Sequence, residues 1–267
     1  MAVVEPPIYA CVTRRSAFLR LWLLGLIGAG ITAAQPLPAS LLLGARVPEL
    51  AFRALAFFNT ALILAVLVGL GTVAAREVGL YSVFAPQVPS GTRPRDRGLH
   101  WVQAAILVGV TVVGVQVAFD GWFWRIVPTN QVLLLRHAAE LSAASPMSRL
   151  IFQALTDELM LRWGLMSGLL WVLALLLRQK SGRQRPALVW TAILGVTTLY
   201  IAGQAPSVLN VLSTDPASML LVRSVAASAV AGIAYGWLYW KHGLESAVLA
   251  HVLAQVGLVA FEGLALF

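Results

Sequence analysis

Seven runs of apolar residues, separated by short polar stretches, divide the chain at about 17–34, 51–75, 99–119, 148–177, 186–205, 218–240 and 244–266. A helix rises 1.5 Å per residue, so crossing a hydrocarbon core of roughly 30 Å takes about 20 apolar residues. The pattern predicts an all-α fold: a polytopic membrane helical bundle of about seven transmembrane helices. It falls into an N-terminal set of membrane helices and loops, 1–144, and a core, 145–267.

The connections alternate in charge. Arg14, Arg15 and Arg20 precede or open the first run. Arg76, Arg93, Arg95 and Arg97 follow the second, Arg178, Lys180, Arg183 and Arg185 the fourth, and Lys241 the sixth. The other connections are poorer in positive charge, with Arg46 in one, Arg125 and Arg136 in the next, and none between Ala205 and Ala217. This alternation predicts a cytoplasmic N-terminus and a C-terminus outside. The run Leu21 to Ala34 is short, and Thr13 to Leu19 nearly spells a twin-arginine signal with the spacing off by one. No small-x-small cleavage site follows, so an uncleaved first helix is expected. The loop 76–98 reads as a cytoplasmic linker. In the stretch 120–147, Gln131 to Leu141 has helical spacing and is expected along the outer interface, anchored by Trp122 and Trp124. Ser224, Ser228, Gly232 and Gly236 put a small residue at every fourth position of the sixth run, which predicts close packing against a neighbouring helix.

Composition agrees with the pattern. Of the 267 residues, 59% are hydrophobic and 11% charged, against roughly 25% charged in soluble domains. The formal charge of +8 sits in the short loops, where it sets topology, so no nucleic-acid partner is expected. The bilayer itself is the expected partner, in the cell (inner) membrane with several passes. Cys11 is the one cysteine, which excludes an internal disulfide and any Cys-based metal site.

Against this apolar background the fourth run contains Asp157, Glu158 and Arg162. Each such residue costs about 2.5–3.5 kcal/mol at a helix centre on insertion scales, so it normally faces a protein interior or a water-filled cavity. Glu158 and Arg162, four apart, share one helical face as an ion pair, while Asp157 points about 100° away and lacks that partner. A buried carboxyl without a partner is protonated or bound to something. His251 and Gln255, again four apart, share a face of the last run. Counting residues puts Glu158 roughly 15 Å below the outer end of its run and His251 roughly 11 Å above the inner end of its own, nearly level. Gln204, next to Pro206, counts to roughly 27 Å from the inner end. That conflicts with a midplane site unless the fifth helix tilts, starts deeper or breaks.

The residues at these positions resemble a family of intramembrane peptidases, the CAAX protease and bacteriocin-processing (CPBP, or Abi) family. The segment Asp157-Glu158-Leu159-Met160-Leu161-Arg162-Trp163-Gly164 resembles its first motif. The run from Gly236 to His251 resembles the approach to its last, and the likeness covers roughly 145–260. The family pattern has two glutamates where Asp157 and Glu158 stand, and Phe-x-x-x-His where Tyr200 and Gln204 stand. It ends in asparagine or aspartate where Gln255 stands. The resemblance implies a helical bundle whose last four helices form a conical cavity, and water activated by the first acid and the histidines, directly or through a metal. Asp157 is one methylene shorter than glutamate, and displacement on that scale can cost about 100-fold in rate. Gln204 is no base and a poor zinc ligand, so a metal is disfavoured and no other cofactor is expected.

The expected function is therefore hydrolysis of a membrane-associated peptide or protein by carboxylate- and histidine-activated water. Asp157 or Glu158 would be the base, Arg162 would orient Glu158, and His251 would polarise the water or shuttle protons. Gln204 and Gln255 would position it. Two other readings stand beside this one. One is a catalytically lapsed member acting as a membrane scaffold or binding protein. The other is a proton-coupled transporter using Asp157, Glu158 and His251 as a relay, although the chain lacks the repeated halves and broken helices such folds usually have.

Overall fold

The computed structural model of the protein describes residues 13–34, 48–85, 99–126, 154–179, 185–211 and 217–265. These form seven helices: α1 (Arg14–Ala33), α2 (Glu49–Val78), α3 (His100–Ile126), α4 (Ala154–Leu176), α5 (Pro186–Val211), α6 (Ala217–His242) and α7 (Leu244–Ala265). There is no strand among the described residues. Five helices are long and apolar enough to cross a membrane: α2, α3 over His100–Phe123, α4, α5 over Pro186–Gln204, and α7 over Leu244–Phe261. In α1 the charges of Arg14, Arg15 and Arg20 dilute the apolar run. In α6 serines, glycines and tyrosines do so.

Large apolar side chains cover the outside, among them Leu55, Phe58, Leu62 and Val66 on α2 and Leu107 and Val110 on α3. Apolar exposure on this scale marks a surface built for lipid. Lipid tails are as apolar as leucine, so what joins the helices is close contact between small residues. A methyl group at Gly164 of α4 would lie 2.7 Å from Leu67 Cβ of α2, and Gly71 of α2 meets the Trp163 backbone of α4 just as closely. On α3, a methyl at Gly109 would lie 2.9 Å from the Ala250 carbonyl of α7. The predicted strip on α6 does what small residues allow: Gly232 packs on Thr197 and Gly236 on Ile193, both of α5. Ser224 and Ser228 lie on the same stripe of α6, towards its start. The helices before residue 144 and those after it thus share one core, with Leu64, Leu159, Trp163, Tyr235 and Tyr239 buried in it.

Two boundaries differ from the sequence reading. The third helix runs on to Ile126, so Trp122 and Trp124 belong to its last turns. Gln131 to Leu141 lies outside the described residues, as does 86–98 of the expected linker. The fifth helix passes through Pro206 to Val211. Proline removes one backbone donor, whereas uncoiling in hydrocarbon would strand several groups, so the smaller loss prevails.

Helices α6 and α7 are joined by Gly243 alone, at φ 93°. That left-handed conformation suits glycine. A side chain there would also strike the Tyr81 ring, with Cβ only 2.5 Å from its Cε2. The chain after α2 folds back onto this turn. Glu245 Oε1 accepts hydrogen bonds from Ser82 Oγ (2.6 Å) and Val83 N–H (2.5 Å), and Leu244 N–H donates to the Tyr81 carbonyl (3.3 Å). This junction fixes the start of α7, the helix that carries His251.

Candidate intramembrane site

Helix α4 is not an ordinary α-helix where its charges lie. Leu159–Met166 is wound as π-helix, and the Ser167 hydroxyl donates to the Arg162 carbonyl five residues back at 3.3 Å. Such turns are rare and collect at functional sites. The winding turns Glu158 and Arg162 into the bundle, 1% and 3% exposed. Glu158 Oε2 lies 3.3 Å from Arg162 Nε, the ion pair expected from the four-residue spacing. Neither atom has a hydrogen-bond partner of good geometry among the described residues, so charge holds the pair and no aligned bond does.

The other oxygen of Glu158 reaches a different helix. Oε1 lies 2.9 Å from Nδ1 of His251 on α7, 93 residues away in sequence. The estimate that the two residues are level in the membrane thus ends in direct contact. On the far side of the ring, Nε2 lies 3.4 Å from Nε2 of Gln255. With Nδ1–H donating to the carboxylate, the lone pair on Nε2 accepts from the Gln255 amide, over a distance beyond the usual range for a good bond. Tyr235 of α6 stacks on the imidazole with ring centres 4.6 Å apart and planes inclined at 24°. Below it, Tyr239 and Ser167 share a hydroxyl–hydroxyl hydrogen bond of 2.8 Å between α6 and α4.

Asp157 sits beside this chain and outside it. It is 9% exposed and, among the described residues, forms no hydrogen bond. Across from it, Tyr200 of α5 lies within electrostatic range of Asp157, Glu158 and Arg162, and its side chain hydrogen-bonds Gln204. The fifth helix runs beyond Pro206, but Gln204 still lies roughly 27 Å along it from Pro186, one turn past Tyr200, so the conflict in depth remains and Gln204 joins the cluster through Tyr200. Residues from four helices therefore contribute to one cluster. Asp157, Glu158 and Arg162 come from α4, Tyr200 and Gln204 from α5, Tyr235 from α6, and His251 and Gln255 from α7.

Tyr235 and Tyr239 escaped the sequence reading. The available signal was their spacing of four on the helix carrying Gly232 and Gly236, which aims aromatic and small residues at the same neighbours. A metal is a poor fit to these residues. Among the described residues no three of His, Cys, Asp and Glu cluster to hold one, and both ring nitrogens of His251 face other side chains. Compared with protein-family models, curated proteins and solved structures, the chain matches none.

Proposed function

We propose that the protein is an intramembrane peptidase of the CPBP type, hydrolysing a membrane-associated peptide or protein with activated water. The observation that carries the reading is the 2.9 Å contact between Glu158 and His251. It is an acid–imidazole pair drawn from two helices into an apolar bundle, where polar groups are expensive unless used. The topology proposed with it has seven spans, the N-terminus in the cytoplasm and the C-terminus outside, in the cell membrane.

We infer a division of labour between the two acids. Glu158 is engaged by Arg162 on one oxygen and by His251 on the other, so its role is to hold the imidazole in one tautomer and orientation. Asp157, with no hydrogen bond among the described residues, takes a proton from water as the water oxygen attacks the peptide carbonyl. His251 Nε2 contacts the same water once the long Gln255 contact yields. Tyr200 O–H and the Gln204 amide donate to the oxyanion. The proton held by Asp157 then passes to the departing amine.

The scaffold reading has one observation in its favour. The Gln255 amide faces the ring nitrogen that catalysis would need. Cleavage of a membrane-anchored reporter by the natural chain, by Asp157→Asn and by Glu158→Gln separates the two. The peptidase reading expects activity in the natural chain, its loss in Asp157→Asn by a factor of about 100 or more, and a loss in Glu158→Gln. Activity untouched by either change would overturn the assignment of roles. Silence of the natural chain towards a range of anchored reporters would favour the scaffold.

A further inference from the structure

Away from the polar cluster, α1 and α2 enclose a groove of about 370 Å³ lined by Arg14, Arg15, Phe18, Leu19, Gly69, Thr72 and Val73. Its open surface is apolar, although two arginines belong to its lining. Arg14 and Arg15 are both exposed and form no ion pair among the described residues. The apolar part also faces outward, with Leu19 48% and Val73 40% exposed. The walls are fixed before anything binds. Trp22 donates from Nε1 to the Ala61 carbonyl of α2 at 3.1 Å and stacks on Phe18 with ring centres 6.0 Å apart. Gly69, Thr72 and Val73 share one helical face with Arg76, a turn nearer the end of α2. Gly69 provides the width: a methyl group there would meet only Phe18, at 3.9 Å, leaving open space where most residues would project a side chain.

The geometry points to a binding site for one anionic phospholipid, its phosphate between Arg14 and Arg15 and one acyl chain along Phe18, Gly69 and Val73. Two exposed arginines beside an apolar groove between helices complement the two parts of that ligand. The helix start adds its positive end to the two arginines. Arginines that merely fix topology would need no groove, and a groove for lipid tails alone would need no arginines. On the topology proposed above, the lipid belongs to the cytoplasmic leaflet, but the binding itself does not depend on that orientation.

The test is native mass spectrometry of the purified full chain released from micelles containing equal amounts of phosphatidylglycerol and phosphatidylcholine. The natural chain should retain phosphatidylglycerol preferentially, in a one-to-one adduct. R14Q/R15Q should weaken that preference about thirty-fold, from roughly a factor of five per arginine. G69L keeps every charge and fills the channel, and it should also lose the adduct. R178Q changes an exposed arginine elsewhere and should leave the adduct intact. Both arginines of the double variant are exposed, so that arm does not depend on tolerance of a core change. Equal retention of the two lipids, an unchanged adduct in R14Q/R15Q, or natural retention by G69L would each overturn the proposal. A loss in R178Q equal to that in R14Q/R15Q would replace it with attraction to diffuse surface charge.

Discussion

Replacing Arg162 by methionine, which is similar in length and apolar, tests whether the ion pair on α4 supports the fold. The structure sets the magnitude. Arg162 Nε and Glu158 Oε2 are 3.3 Å apart with both side chains almost wholly buried, 4% and 1% exposed. At that distance an effective dielectric of about 20 gives an attraction of about 5 kcal/mol. Removing one member of a buried pair costs about 3–5 kcal/mol, because the other charge stays buried without compensation. His251 still holds one oxygen of Glu158, which puts the expectation at the lower end, about 3 kcal/mol. That is a large share of the roughly 5–15 kcal/mol by which folded proteins are stable. The assay is thermal unfolding of the detergent-purified protein, followed by circular dichroism and by the loss of the monodisperse peak in size-exclusion chromatography. The decisive comparison is the double variant Glu158→Gln/Arg162→Met. Glutamine keeps an oxygen for His251 Nδ1–H and leaves no charge behind, so the double variant should recover most of the stability. Unchanged stability in Arg162→Met, or a double variant as unstable as the single one, would refute the reasoning.

Three other changes probe different parts of the molecule. Reporter fusions at residues 1 and 267 should report opposite sides of the membrane; signals from the same side would remove one span from the count of seven. Gly243→Ala should destabilise by about 1–3 kcal/mol, because φ is 93° and the new methyl meets the Tyr81 ring; a melting temperature within error of the natural chain would show that the α6–α7 turn relaxes freely. Asp157→Glu combined with Gln204→His supplies the longer carboxylate and the imidazole of the family pattern. It should damage an enzyme tuned to Asp157 and Gln204, but confer reporter cleavage or stoichiometric zinc, seen by elemental analysis, on a lapsed one.

How far the sequence carried depends on the range of the interaction. Glu158 and Arg162 were legible as a pair because a helix forces positions four apart onto one face, whatever surrounds it. The level of His251 was legible because helix rise converts residue count into depth. The packing strip of Gly232 and Gly236 was legible because close approach admits only small residues. Other features depend on contacts that no local pattern encodes. The bond from Glu245 to Ser82 spans 163 residues, and the stacking of Tyr235 on His251 depends on how α6 crosses α7. Pro206 misled for a related reason. In water a proline commonly ends a helix, but lipid penalises the uncoiled alternative more than the lost bond. The π-winding of α4 was invisible to an argument that assumed ordinary helical spacing throughout.

The polar cluster carries a constraint that bears on both readings of its function. Glu158 lies between a guanidinium and an imidazole, and acting as the base through Oε1 would cost it the contact that orients His251. The mechanism proposed above therefore gives the base to Asp157, and Glu158 keeps the contact with His251. The 3.4 Å contact between Gln255 and His251 then decides how the site behaves. A bond that long gives way at the ring once water or a peptide group offers Nε2 a better-aligned one. Displacing Gln255 exposes a ring nitrogen whose partner nitrogen is already fixed by Glu158, which is the arrangement a water-activating imidazole requires. In Gln255→Leu the amide is gone and Nε2 is open from the start. An enzyme should then lose water positioning and activity, whereas a scaffold should lose only stability, about 0.5–1.5 kcal/mol for each hydrogen bond the amide makes. Full reporter cleavage by Gln255→Leu would remove Gln255 from the mechanism and leave Asp157 and His251 to position the water alone.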